Sequence, residues 1–308
     1  MMKKKVLTPV CAALLSIGMI GTIPVLAKDA AKAPATQSGA PAAQSPATKS
    51  VQAAVDKQSA SKAAAKRQDV VKDAVVAIAE TENALRALNA GKKDEALAAL
   101  EKATGKLELV LARDPALALA PVDVEQVTFD LLADTKTIKA LIYDAEKAIK
   151  DGEIQQARAI MMNLASEIVF RTTSIPLATY PDAIKAITPL IDAGKLDEAK
   201  AGLETALGTL VTTVEVVPLP ILRAGYLLGN AEKLAENDKR SDKDNQTLHA
   251  LLKEARNQLE MAELLGYGDK DAFKPMYEQL DEIEDKAKGG KSGKGWFAKL
   301  KKQLSDLF

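Results

Sequence analysis

Few residues in this sequence could run a reaction, and their spacing argues against one. His249 is the single histidine. It stands in Thr247-Leu-His-Ala-Leu-Leu-Lys253, one step from an apolar helical face, with no nucleophile and orienting group at a readable spacing. No Gly-x-Ser-x-Gly elbow occurs either. His249 therefore reads as a surface or boundary residue. A zinc site of His and Cys ligands cannot be assembled from one of each. Carboxylates do come in groups, at Asp94/Glu95, Asp197/Glu198 and Glu282/Glu284/Asp285. A glycosidase would need two of them across a sugar cleft, but these sit at helix starts and on polar faces, where acids are simply solvated. The run Asn237–Asp244 has acids without the glycine and closing glutamate of a calcium loop. Gly290-Lys291-Ser292 resembles the end of a phosphate-binding loop, yet the earlier glycine would fall at Asp285, and a helix precedes it. It reads as a flexible hinge. The expectation is no catalytic residue, no cofactor and no metal.

The elements around these residues start with an address. Met1–Lys5 carries three lysines, and the apolar stretch Val6–Leu26 ends at Pro24-Val25-Leu26-Ala27, with small residues at −3 and −1 before Lys28. This predicts a cleaved secretory signal over residues 1–27 and a periplasmic protein. Cys11 lies inside the apolar core of that signal, too early for a lipoprotein site, so the mature chain has no cysteine. The whole chain has 42 Lys+Arg against 42 Asp+Glu. Cleavage removes Lys3, Lys4 and Lys5 and no acid, which leaves a net charge of −3. Such a balance argues against nucleic-acid binding. Residues 28–66 are mostly Ala, Pro, Ser, Gln and Lys, and a disordered linker is expected there because too little apolar surface is available to offset ordering entropy.

From Gln68 onward apolar residues recur at helical spacing, and a helical domain over 67–288 is expected. Its strongest feature is an internal repeat. Gly91-Lys-Lys-Asp-Glu-Ala96 recurs as Gly152-Glu-Ile-Gln-Gln-Ala157 and as Gly194-Lys-Leu-Asp-Glu-Ala199. Each alanine is followed nineteen residues later by a proline, at Pro115, Pro176 and Pro218. The physical reading is a helical hairpin. Glycine takes the left-handed position that ends one helix, acids or amides open the next, and a small alanine lets the two approach. Proline then ends the second helix. Leu210–Val217 has strand propensity, but its register matches the helical Leu107–Asp114, which predicts helix. A long helix over 123–150, capped by Asp123 with Gln126 as its partner, is expected in the first gap. Further helices are expected over 219–236, 242–265 and 271–288. The predicted class is all-α, a bundle of three antiparallel hairpins.

The tail over 289–308 is basic, and its spacing predicts an amphipathic helix. Trp296, Phe297, Leu300, Leu304, Leu307 and Phe308 fall on one face, with Lys291, Lys294, Lys299, Lys301 and Lys302 around it. Five lysines against Asp306 give a local charge of +4. Three readings stand for this segment: docking on the oppositely charged body, an anionic membrane surface, or a groove on a partner.

Phe170-Arg-Thr-Thr-Ser-Ile-Pro-Leu-Ala-Thr-Tyr-Pro181, the segment Ile191–Glu204 around the third glycine, and Glu215-Val-Val-Pro-Leu-Pro-Ile221 together resemble the YfdX family of bacterial stress proteins. The likeness runs from about Gln68 to Leu265. The chain length and basic tail look closer to members found in heat-resistance loci. The resemblance implies an all-helical periplasmic protein tied to survival of heat, acid or envelope stress. It implies a chaperone-like or small-molecule-binding role, with no active-site residues to carry over. The function expected is thus non-enzymatic binding of unfolded or partner proteins, for which helical hairpins present grooves. A small-molecule-binding bundle and a carboxylate-based envelope glycan hydrolase are the alternatives. A homo-oligomer is left open.

Overall fold

The computed structural model describes residues 44–307. The leader expected over 1–27, the first part of the expected linker and Phe308 lie outside the described residues. The protein is mainly helical, and it carries a three-stranded sheet that corrects the all-α expectation.

The second half of the expected linker is a helix, α1 (Pro46–Gln68). Ser45 caps it by accepting the Thr48 backbone N–H at 3.0 Å, and Pro46 opens its first turn. Only Val51, Val55 and Ala63 among its apolar residues are buried. A stripe that thin is too weak a periodic signal to separate from a polar linker. It suffices because it lies against two other elements at once. Val51 packs among the C-terminal helices, and Val55 and Ala63 lie against Ile168 and Phe170 of the sheet.

Each of the three glycine segments joins two helices that lead into a strand. Copy one is α2 (Lys72–Asn89), α3 (Lys93–Arg113) and β1 (Leu119–Phe129). Copy two is α4 (Thr135–Lys150), α5 (Ile154–Met161) and β2 (Glu167–Pro176). Copy three is α6 (Tyr180–Asp192), α7 (Leu196–Gly208) and β3 (Val211–Pro218). Gly91, Gly152 and Gly194 have φ of 73°, 78° and 74°, and Ala96, Ala157 and Ala199 are buried beneath the turns. A Cβ at Gly194 meets no atom within 4 Å, so Gly194→Ala isolates the backbone cost. It should lower stability by about 1–2 kcal/mol in a denaturant titration, from the left-handed φ alone.

The prolines mark different events. Pro115 follows a full-length second helix, whereas Pro176 and Pro218 end strands. Copy one continues with Gly105-Lys-Leu-Glu-Leu-Val-Leu-Ala, good helix formers apart from its glycine. Copies two and three carry Ile168-Val-Phe-Arg-Thr-Thr and Val211-Thr-Thr-Val-Glu-Val-Val, whose β-branched side chains suit a pleated surface. The helix expected over Leu210–Val217 is therefore β3, and equal spacing to the proline did not mean equal structure. The helix expected from Asp123 is likewise split. Asp123 lies in β1, and the cap of α4 is Asp134, which accepts the Thr137 N–H at 2.7 Å.

The strands run in the order β1-β2-β3, antiparallel throughout, with Gln126 opposite Phe170 and Phe170 opposite Glu215. Consecutive strands are neighbours, yet each connection is a whole hairpin, α4–α5 and then α6–α7. The expected three-hairpin bundle is in fact a pair. Hairpins α2–α3 and α6–α7 share one core, with α2 on α7 and α3 on α6. Hairpin α4–α5 stands apart from it. A second core joins α8 (Leu219–Glu236), α9 (Asp242–Leu264), α10 (Lys270–Ala287) and α11 (Ala298–Ser305). For α8, α9 and α10 the expected bounds hold to within a residue, with Ser241 and Asp244 forming a capping box at the start of α9, whereas the helical part of the tail expected over 289–308 is only α11.

Candidate functional site

The candidate site lies at one of the two edge strands of the sheet. Among the described residues β3, like β1, pairs only with β2, so its far side is a sheet edge. Such an edge offers backbone donors and acceptors to an incoming chain. Beside it lies a groove of about 800 Å³. Val216 and Val217 of β3 form one wall, Ile221, Leu222 and Tyr226 of α8 line it, and Leu304 of α11 closes one end. Pro218 ends the strand and Pro220 sits in the first turn of α8, which places strand edge and helix face side by side. The far rim is α1, where the Tyr226 hydroxyl donates to Gln58 Oε1 at 2.8 Å. On the outer sheet face Val214, Val216 and Phe129 are exposed.

Charge at the groove is balanced. Glu215 takes both Lys62 and Lys66, the latter at 2.6 Å. Burial pushes its carboxyl up, but the two ammonium groups outweigh burial and hold it below the usual carboxylate range. Both ammonium groups also stand within 6 Å of the Phe170 ring centroid.

A buried polar cluster holds the supporting elements together. Arg223 of α8 is 2 % exposed. Its Nη1 and Nη2 donate to Asp130 Oδ1 and Oδ2 at 2.9 and 2.7 Å, a fork-to-fork pair, and Nη2 also donates to Gln52 Oε1 at 2.9 Å. Asp130 follows β1, so one side chain ties the sheet, α1 and α8. Nearby, the Tyr267 hydroxyl accepts the Ser166 N–H at 2.9 Å and donates to Glu167 Oε2 at 2.8 Å. Burial pushes that hydroxyl far up, and Glu167 adds to the shift. A cavity of about 280 Å³ opens beside Arg223, lined also by Thr48, Asp134 and Glu254. The Arg223 guanidinium at its wall is already paired with Asp130.

The residues expected to bind a membrane or partner have defined places. Phe297, Leu300 and Leu304 are buried in the core of α8–α10, and Trp296 and Leu307 pack against it. Lys299, Lys301 and Lys302 are exposed, and Lys301 pairs with Glu232 of α8 at 2.8 Å. Phe308 is outside the described residues. Of this set, only Lys301 and Leu304 line the groove. Five of the seven acids singled out by type stand in solvated ion pairs: Glu95 with Lys92, Glu198 with Lys195, Asp197 with Lys200, Glu282 with Lys286 and Asp285 with Lys288. His249 is exposed. Among the described residues no group of three or more His, Cys, Asp or Glu could hold a metal, and no helix is long and apolar enough to cross a membrane. Sequence reasoning missed the groove, because the strand propensity of Val211–Val217 was its one signal and the repeat register outweighed it.

Fold and groove together define a mainly helical scaffold of hairpin–strand units with an open sheet edge. Residues 77–216 match the family model described as YfdX protein. That span starts within α2 and ends within β3, so the likeness to the YfdX family runs through the three glycine turns. A crystal structure of YfdX from Salmonella Typhi is similar at 14 % identity, covering 49 % of this chain and 93 % of that one, with a TM-score of 0.34. No curated protein matches the chain.

Proposed function

We propose that this is a non-enzymatic, periplasmic stress-protection protein that holds exposed segments of unfolded or partner proteins. The observation that carries the reading is the unpaired edge of β3 running beside an apolar groove. An extended client segment can add backbone hydrogen bonds to such an edge and place alternate side chains into the groove. Backbone bonding is blind to sequence, which suits a binder of many clients. The YfdX match and the leader pattern over residues 1–27 support the stress and periplasmic parts of the reading.

Gly225 permits a clean test. It is exposed on α8 within the groove, and an added Cβ meets nothing within 4 Å. Gly225→Glu places a charged side chain in the client's path while improving helix propensity by roughly 0.5–1 kcal/mol. Light scattering of a heat-denaturing client reads the effect. The purified protein should suppress aggregation, and Gly225→Glu should lose most of that suppression without a lower melting point. Suppression that survives the substitution moves the contact away from the groove. No suppression by the unaltered protein sinks the chaperone-like reading.

A further inference from the structure

The cavity beside Arg223 carries hydrogen-bonding groups that the fold leaves partly unused. Its volume of about 280 Å³ is many times the roughly 10–15 Å³ that admits one water. One part of the wall is apolar, with Leu131, Leu132 and Met261, and Leu132 keeps 40 % of its surface exposed. The polar part is built of acceptors. Glu254 takes the Thr48 hydroxyl at 2.6 Å, the Gln258 Nε2 at 3.1 Å and the Asn257 Nδ2 at 3.2 Å. These donors are all neutral, and among the described residues no lysine or arginine pairs with Glu254. Gln258 lines the same cavity and is 7 % exposed. Its Nε2 is held by Glu254 and by Thr48, the latter at 3.4 Å, while its Oε1 is buried with no donor. A buried acceptor in that state requires an N–H or O–H from elsewhere.

Charge narrows the donor. Asp134 adds a second carboxylate to the wall, and the Thr137 N–H that it accepts holds it below the usual carboxylate range. Arg223 is the one cation on the wall, and Asp130 neutralises it. The starts of α1 and α4 also reach the cavity, but each is capped by its own side chain, Ser45 and Asp134. An anion therefore finds the nearby donors engaged, and a cation finds two carboxylates and a carbonyl oxygen.

We propose that this cavity binds a small organic cation, an aliphatic amine whose ammonium group donates to Glu254 and Gln258 and whose carbon chain lies along Leu131, Leu132 and Met261. An ammonium group has three donors and no acceptor, so it serves the carboxylate and the amide oxygen together. Hydrogen bonds to an ionised group are the stronger kind, and a part-buried setting screens them less than open water does. The methylene groups of the ligand cover the exposed side of Leu132. The cavity shares no lining residue with the β3 groove, so the proposal stands apart from client binding.

Titration calorimetry of the purified full chain with 1,4-diaminobutane at neutral pH tests it. One molecule should bind per chain, and the melting temperature should rise with its concentration. 1,4-Butanediol has the same length without the charge, and succinate has the opposite charge; neither should bind. Glu254→Gln keeps an acceptor for Thr48 and removes the charge, and should weaken binding by on the order of tenfold or more. Leu132→Lys is a second variant at a half-exposed position, where substitution leaves the melt of the free protein nearly unchanged. Its added ammonium group repels the amine and should weaken binding by about tenfold as well. Nα-acetyl-lysine amide carries the same head on a peptide side chain. Binding of both probes extends the site to a lysine of another protein, and binding of the diamine alone restricts it to free amines. Absence of diamine binding overturns the proposal. So does binding that butanediol matches, or that both variants leave unchanged, because recognition would then rest on neither the charge nor this cavity.

Discussion

Asp130→Ala is expected to lower stability by about 3–5 kcal/mol, with a fall in melting temperature on the order of 10 °C. The reason is what the substitution leaves behind. Arg223 is 2 % exposed, and Asp130 supplies both of its carboxylate bonds. Without Asp130 the guanidinium keeps only Gln52, and an uncompensated charge stays in the protein interior. Replacing both partners, Asp130→Ala with Arg223→Met, should recover more than half of the loss, because the methionine follows the path of the arginine stem and brings no charge. Thermal unfolding of the three variants reads the coupling directly. If Asp130→Ala costs under about 1 kcal/mol, the cluster is a solvated ion pair and does not staple β1, α1 and α8.

Phe297→Ala is the second large effect, at about 3–5 kcal/mol for removing a fully buried aromatic side chain. Phe297 is 1 % exposed and lies in one core with Leu300, Phe273 and Leu280. An aromatic residue waiting on the surface for a lipid bilayer would cost within about 0.5 kcal/mol on truncation. Lys299→Ala, on the exposed side of the same helix, should stay within that smaller range. Thermal melts without lipid separate the two outcomes. Trp296 is the chain's one tryptophan, so its fluorescence reports tail undocking without labels. An anionic membrane would have to draw Phe297, Leu300 and Leu304 out of this core before it could hold the tail's apolar face.

The three glycine turns and the bounds of α8, α9 and α10 were legible in the amino-acid order. These are local matters. A left-handed glycine, a buried alanine one turn on and a capping box act within a few residues, and each leaves its mark in spacing alone. The YfdX likeness was legible for the same reason, since it follows the repeats. Long-range packing settled the rest. Val211–Val217 could be helix by register or strand by side-chain shape, and pairing with β2 resolved it in favour of the β-branched side chains. α1 looked like a linker because three buried apolar positions carry little pattern, and it is ordered by the sheet and helices it bridges. The tail's apolar pattern fitted docking on its own body, a membrane or a partner, and it is the packed core that takes up Phe297, Leu300 and Leu304. Most of all, three similar hairpins gave no hint that two would pair and one would be left with Ile149 and Met161 in solvent. Periodicity states which residues seek cover, and only the packed chain shows which of them have found it.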